Sequence, residues 1–243
     1  MFHKGVNVRN ARLVTAAIAA TALAWASDAY AGQVAFHLDD HFSGLGTPEG
    51  TLSATISDVA PGSVMITMDA TTFSGPWGVN IGRWWFNSKE DPTTFAFEYQ
   101  AASSGPKAEQ GIHTAFNPSA PANQFKPDRD GYFDILFDFK PTGANGTVFQ
   151  PGEVVNYLVQ GVGITAETFN LLSDHTVQGA GPNGPFTSVA RLTGFPGGVA
   201  AFLGADDAVV TGDVAPVPIP GAALLFGTSL FSLGFLRRHR AHA

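Results

Sequence analysis

The chain has 243 residues, enough for one ordinary domain with accessory segments, and its 44% hydrophobic and 14% charged content excludes wholesale disorder. It contains no cysteine, which excludes disulfides, thiol chemistry and Cys-ligated metal centres. Residues 32–210 contain seven Lys and Arg and eighteen Asp and Glu, a net charge of −11. We therefore expect no nucleic-acid partner, because a polyanion would be repelled.

Residues 1–31 have the composition of a secretory signal peptide. Three basic residues come first, and residues 13–25 are apolar apart from two threonines. Residues 29–31 read Ala-Tyr-Ala, which places small residues at the −3 and −1 positions of a cleavage site. We predict export of the chain with cleavage after Ala31. The alternative is an uncleaved anchor, but the apolar run is short for a membrane span.

Residues 32–204 show repeated period-two alternation of apolar and polar side chains. The clearest runs begin at Leu52, Phe95 and Phe133, and the last would place Phe133, Ile135, Phe137 and Phe139 on one face of a strand. Shorter strand candidates lie at 64–68, 154–159, 189–193 and 199–203, with Gly- and Pro-rich turns between the segments. We predict an all-β, antiparallel β-sandwich or jelly roll over residues 32–204. Residues 164–172 are either a short helix or an irregular strand.

Residues 37–41 read His-Leu-Asp-Asp-His, which supplies nitrogen and oxygen ligands for zinc or another divalent ion. On a strand, alternate side chains lie about 6.6 Å apart, too far for neighbours to close easily around one ion. We therefore favour a polar edge strand over a metal site.

Asp128, Asp130 and Asp134 surround Gly131 and resemble the start of an acidic calcium-binding loop. No Glu follows at the spacing of an EF-hand, and Arg129 adds a positive charge. We favour a turn that leads into the next strand and expect no cofactor, with calcium held by the three aspartates as the alternative.

Trp77, Trp84 and Trp85 lie close together in the sequence, near Asn and Arg side chains, and such a group can stack on sugar rings. Successive strand residues point to opposite faces, so one of Trp84 and Trp85 belongs to the core. We favour core packing over glycan binding for these rings.

Catalytic signatures are lacking in the sequence. It contains no P-loop, dinucleotide fingerprint, His-Glu-x-x-His or Gly-x-Ser-x-Gly motif. Glu98, Glu109 and Glu153 are carboxylates of the kind that glycosidases use, but nothing distinguishes a pair among them. We expect a protein that is not an enzyme.

Residues 216–243 have the organisation of a membrane tail, preceded by a linker at 205–215. Residues 219–236 carry no charge, and as a helix they would rise about 27 Å, enough for a thin hydrocarbon core. Arg237, Arg238 and Arg240 follow, and such clusters stay on the cytoplasmic side. Three alternate prolines before the span favour an extended arm that a processing enzyme can hold. A plain anchor that is never cut is the alternative.

This tail resembles the PEP-CTERM sorting signal of Gram-negative bacteria that produce exopolysaccharide. The resemblance rests on Val217, Pro218, Ile219 and Pro220, then the apolar span, then the arginine cluster. Ile219 stands where the parent motif has Glu. The resemblance implies an exosortase-type membrane protease as partner, removal of the tail, and release or attachment of the body at the cell surface.

The body is similar to secreted proteins that carry this tail, at residues 130–137, 149–153 and 181–184. That group has no assigned activity, so the similarity implies fold rather than chemistry. We predict a non-enzymatic surface or extracellular-matrix protein, first anchored in the inner membrane, with exopolysaccharide as a further partner. The alternative is a secreted jelly roll that binds or cleaves carbohydrate.

Overall fold

The structure, a computed structural model, describes residues 32–44, 50–74, 78–116, 125–128, 131–140, 147–174 and 183–211. All of them belong to the first of two compact units, Met1–Asp213. The second unit, Val214–Ala243, and the predicted signal peptide at 1–31 lie outside the described residues.

Within the described ranges the chain forms twelve strands and three short 3₁₀-helices. The strands are β1 Gln33–Leu38, β2 Asp40–Ser43, β3 Leu52–Ala60, β4 Ser63–Asp69, β5 Asn80–Phe86, β6 Ala96–Tyr99, β7 Gly111–Thr114, β8 Ile135–Asp138, β9 Val154–Gln160, β10 Ser188–Thr193, β11 Ala201–Ala205 and β12 Val209–Thr211. The 3₁₀-helices are Pro92–Thr94, Ala166–Phe169 and Pro196–Gly198.

The strands form two six-stranded sheets. The first sheet has the order β12-β1-β3-β4-β9-β6 and the second the order β2-β11-β10-β5-β8-β7. Each of the strand pairs within them is antiparallel. The prediction of an all-β, antiparallel fold is confirmed.

The main core lies between the two sheets. Alternate residues of β3 are buried, and the same alternation holds in β4 and β9, as the period-two pattern predicts. Aromatic rings join the sheets: the centroids of Phe36 and Phe86 lie 6.0 Å apart, and those of Phe137 and Tyr157 lie 5.0 Å apart. Burying one large apolar side chain in this way contributes about 1.5–3 kcal/mol. The arrangement is sandwich-like.

A β-bulge at Gly82 changes the phase of β5. Arg191 pairs with Arg83, and the next residue, Leu192, pairs with Ile81, so Gly82 is an extra residue. Ile81 and Trp84 are three positions apart, yet both are buried in the main core. The bulge therefore sends Arg83 to the other face of the second sheet, away from the main core.

A second apolar cluster covers that outer face. We call it the outer cluster, and its members are Trp85, Phe133, Leu136, Phe186 and Val189, with the half-buried Phe42, Phe125 and Phe202 packed against them. The alternation predicted that Phe133 shares a face with Ile135, Phe137 and Phe139, and this prediction is wrong. Phe133 belongs to the outer cluster, whereas the other three belong to the main core. The strand begins only at Ile135, and Phe133 forms an isolated bridge with Phe125.

The structure adds detail to two predicted segments. Residues 164–172 contain the 3₁₀-helix Ala166–Phe169 rather than a strand, with Thr165 and Thr168 forming a reciprocal cap at its start. The fold also continues into the segment predicted as a linker, because β12 pairs with β1 from Gln33 opposite Thr211.

Burial of Tyr157 makes the protein less stable as the pH rises above 10. Its hydroxyl accepts a hydrogen bond from the Ala108 N–H at 2.8 Å, and burial raises the pKa of Tyr157 to about 12. In the unfolded chain the pKa of tyrosine is about 10, so this contribution is complete below pH 10 and is lost as pH rises to 12. We expect urea unfolding to show a loss of about 2–3 kcal/mol over that window. Tyr157→Phe should remove this part of the pH dependence. If the free energy of unfolding fell equally steeply between pH 10 and 12 in both proteins, the pH dependence would not come from Tyr157.

Candidate functional site

The two described tryptophans of the predicted glycan site are buried. Trp84 is 0% exposed and Trp85 is 3% exposed, the first in the main core and the second in the outer cluster. The indole Nε1 of Trp84 donates to Ser188 Oγ at 2.9 Å, and that hydroxyl donates to the Trp85 carbonyl at 3.0 Å. Neither ring offers a face to a sugar, and core packing describes both. Trp77 lies outside the described residues.

The predicted calcium ligands have other roles where they are described. Asp134 is buried, and its Oδ2 accepts a hydrogen bond from the Ser88 N–H at 3.2 Å. Asp128 is exposed and accepts a hydrogen bond from Ser43 Oγ. Asp130 lies outside the described residues. Across the described ranges, no three His, Asp or Glu side chains are grouped so that they could hold a metal ion.

Residues 37–41 do not form a single edge strand. His37 belongs to β1 in the first sheet, whereas Asp40 and His41 belong to β2 at the edge of the second sheet. The chain passes from one sheet to the other at Asp39, which separates the two histidines. The period-two spacing predicted that the two histidines share one face of a continuous strand, and they do not.

The three glutamates considered for glycosidase chemistry are dispersed over strand and loops. Glu98 is exposed on β6. Glu109 accepts hydrogen bonds from the Thr147 N–H at 3.1 Å and from its hydroxyl at 3.0 Å. Glu153 accepts one from the Gln150 N–H at 2.8 Å. The last two carboxylates therefore hold loop backbone in place.

A pocket of about 230 Å³ lies at the Gly82 bulge. We call it the basic pocket, because Arg83, Arg191 and Lys140 line it together with Asn80 and Thr193. The two arginines are direct partners across β5 and β10, and Lys140 follows the end of β8. Three strands of the second sheet thus bring three cations to one place.

The two arginines of the basic pocket differ in their ion pairing. Nη2 of Arg83 lies 3.0 Å from Oδ2 of Asp138, and its Nε donates to the same oxygen at 3.0 Å. Nε of Arg191 is buried and has no hydrogen-bond partner in the part of the chain that the structure describes. The guanidinium of Arg191 lies over the Phe202 ring, 5.9 Å from its centroid.

The environment of Arg191 disfavours its charge. Burial lowers the pKa of this guanidinium from its usual range, and the charge of Arg83 lowers it further. The carboxylates of Asp138 and Asp128 act in the opposite direction. An arginine remains protonated in spite of such shifts, so the pocket holds a charge that is incompletely compensated.

Sequence reasoning did not find the basic pocket. Arg83 and Arg191 are far apart in the chain, and no motif joins them. The one available signal was the scarcity of cations: residues 32–210 contain only seven Lys and Arg, and three of them line this pocket.

Comparisons with family models, curated proteins and solved structures found no match to this chain. The described residues include no helix with the length and apolar character needed to span a membrane. The fold is thus defined as an all-β protein with two antiparallel sheets, and the resemblance of the tail to a sorting signal stays a prediction.

The hydrogen bonds of Ser188 predict a structural role for Trp84. Ser188→Ala leaves a buried indole N–H without its acceptor, so we expect a loss of about 1–3 kcal/mol in the free energy of unfolding, measured by urea titration. In a Trp84→Phe background that N–H is gone, and Ser188→Ala should then cost less. Strictly additive effects of the two substitutions would contradict the role assigned to this hydrogen bond.

Proposed function

We propose that this chain is an exported surface or extracellular-matrix protein of a Gram-negative bacterium, without enzymatic activity, that is sorted and processed through its C-terminal signal. One observation carries the proposal: the order of a Pro-containing motif, an uncharged span and an arginine cluster within residues 216–243. These residues lie outside the described part of the chain, and the support is their composition and order.

Each part of this tail has a physical role in the proposal. The signal peptide at 1–31 starts export, and the span at 219–236 stops it. Arg237, Arg238 and Arg240 keep the end of the chain on the cytoplasmic side. The precursor is thereby held in the inner membrane with its body outside.

The extended arm at 217–220 is the recognition element. Proline at alternate positions prevents a helix, so the backbone stays open to an exosortase-type membrane protease. Cleavage there delivers the body to the cell surface or the extracellular matrix, where exopolysaccharide is a candidate partner. An exposed tryptophan ledge or a carboxylate-lined groove would favour the rival proposal, a carbohydrate-binding or carbohydrate-cleaving jelly roll, and the buried Trp84 and Trp85 offer no such ledge.

Intact-mass analysis of protein recovered from the native host tests this proposal. We expect a species that begins at Gly32 and ends near Pro218 in the surface or extracellular fraction. Replacing Arg237, Arg238 and Arg240 with Gln should abolish correct retention and processing, because the span then lacks its cytoplasmic anchor.

His239→Gln is the matched control, since it changes the same basic stub but keeps all three arginines. It should be processed like the native chain. A membrane-bound species that still ends at Ala243, or a triple variant that is trimmed normally, would overturn the sorting proposal.

A further inference from the structure

We propose that the basic pocket binds one oxyanion group, a carboxylate, sulfate or phosphate, of a small acidic ligand. This inference concerns the body of the protein and does not rest on the sorting proposal. It is carried by the position of Arg83, Lys140 and Arg191 around one cavity.

The charge of the pocket is opposite to that of the body around it. Residues 32–210 have a net charge of −11, yet three of their seven basic residues line this cavity. Scattered surface cations would add solubility anywhere, whereas cations gathered in a concave site attract a counter-charge. Asp138 offsets part of this charge through its ion pair with Arg83, and Asp128 acts on Arg191 from nearby.

Arg83 and Arg191 form a like-charge pair, which is electrostatically unfavourable. They are direct partners across β5 and β10, and like charges at such a position destabilise a sheet. Asp138 bonds to Arg83, but Nε of Arg191 is buried without a hydrogen-bond partner among the described residues. A bound oxyanion would supply the missing negative charge beside this pair of guanidinium groups.

The shape of the pocket limits the ligand to a small group. Its volume of about 230 Å³ is below the ~300–1,000 Å³ typical of sites for drug-sized ligands. The extra residue of the bulge is a glycine, and a Cβ added at Gly82 would lie 3.0 Å from Cγ2 of Thr193. The lack of a side chain there keeps the space between β5 and β10 open.

The polar part of the lining suits an oxyanion, although Ile81, Phe139 and Val148 add apolar surface to the same pocket. Guanidinium groups present N–H donors in a planar fork that matches carboxylate and phosphate oxygens, and an ammonium adds a point charge. The Thr193 hydroxyl and the Asn80 amide supply neutral hydrogen-bonding groups beside them. The Asn80 amide is oriented by its own hydrogen bond to the Gly78 carbonyl, at 3.0 Å.

Calorimetric titration of the full chain, purified in a nonionic detergent, tests the proposal. The probes are sodium sulfate, inorganic phosphate and glucuronate, with glucose as the neutral control, all at constant ionic strength. We expect saturable binding of at least one of the three anions and none of glucose. Arg191→Gln should weaken that binding about tenfold or more, since it removes a charge-assisted hydrogen bond.

Lys140→Gln provides a test that does not depend on a buried residue. Lys140 is exposed, so this variant should fold normally and weaken binding about two- to fivefold. Lys89→Gln is the matched control, because Lys89 is also exposed but pairs with Glu167 beyond the other end of β5. It should bind the anion like the native chain.

The preferred probe identifies the source of the oxyanion. Tighter binding of glucuronate than of sulfate and phosphate would assign the pocket to an acidic sugar, and the reverse order would assign it to a free inorganic anion. No saturable binding of any of the three anions would overturn the proposal. So would binding that Lys140→Gln leaves intact, or that Lys89→Gln weakens equally.

Discussion

With no cysteine available to link its strands, this chain depends on one apolar layer shared by two sheets. Within that layer, Phe137 packs against aromatic rings of both sheets. Its ring contacts Phe86 in its own sheet at a centroid distance of 5.8 Å, and Tyr157 and Phe97 in the opposite sheet at 5.0 and 5.9 Å. The contacts with Phe86 and Phe97 are edge-to-face, and such contacts add to the burial of the rings and favour a particular orientation. The position of Phe137 on β8 therefore contributes to the way the two sheets pack against each other.

Alternation of apolar and polar residues could predict those strands that have one face on the core and the other face partly exposed to solvent. β4 and β9 alternate throughout, and β3 alternates from Leu52 to Ser57, so period two was a sufficient guide there. β8 is different, since Ile135–Asp138 is buried on both faces between the main core and the outer cluster. The sequence pattern of β8 did not reveal that the outer cluster covers its second face. It also did not reveal that the strand begins only after Phe133.

The basic pocket could not be predicted for a related reason. Its position depends on the Gly82 bulge, which places Ile81 and Trp84 on the same side and sends Arg83 to the other. A strict two-residue period through β5 would instead have grouped Arg83 with Ile81. The burial of Trp85 could not be predicted from local pattern either, because the outer cluster that covers it is assembled from distant parts of the chain.

The pairing of β1 with β12 has a mechanical consequence. Gln33 lies opposite Thr211, so the first and last described strands are neighbours at one edge of the first sheet. β12 has three residues, all of them exposed, and among the described strands it pairs only with β1. A pull applied to the chain beyond Thr211 therefore acts first on this strand, which can peel away while the ten further strands from β2 to β11 and the main core stay closed. The body would yield to tension at its last strand and keep its folded interior.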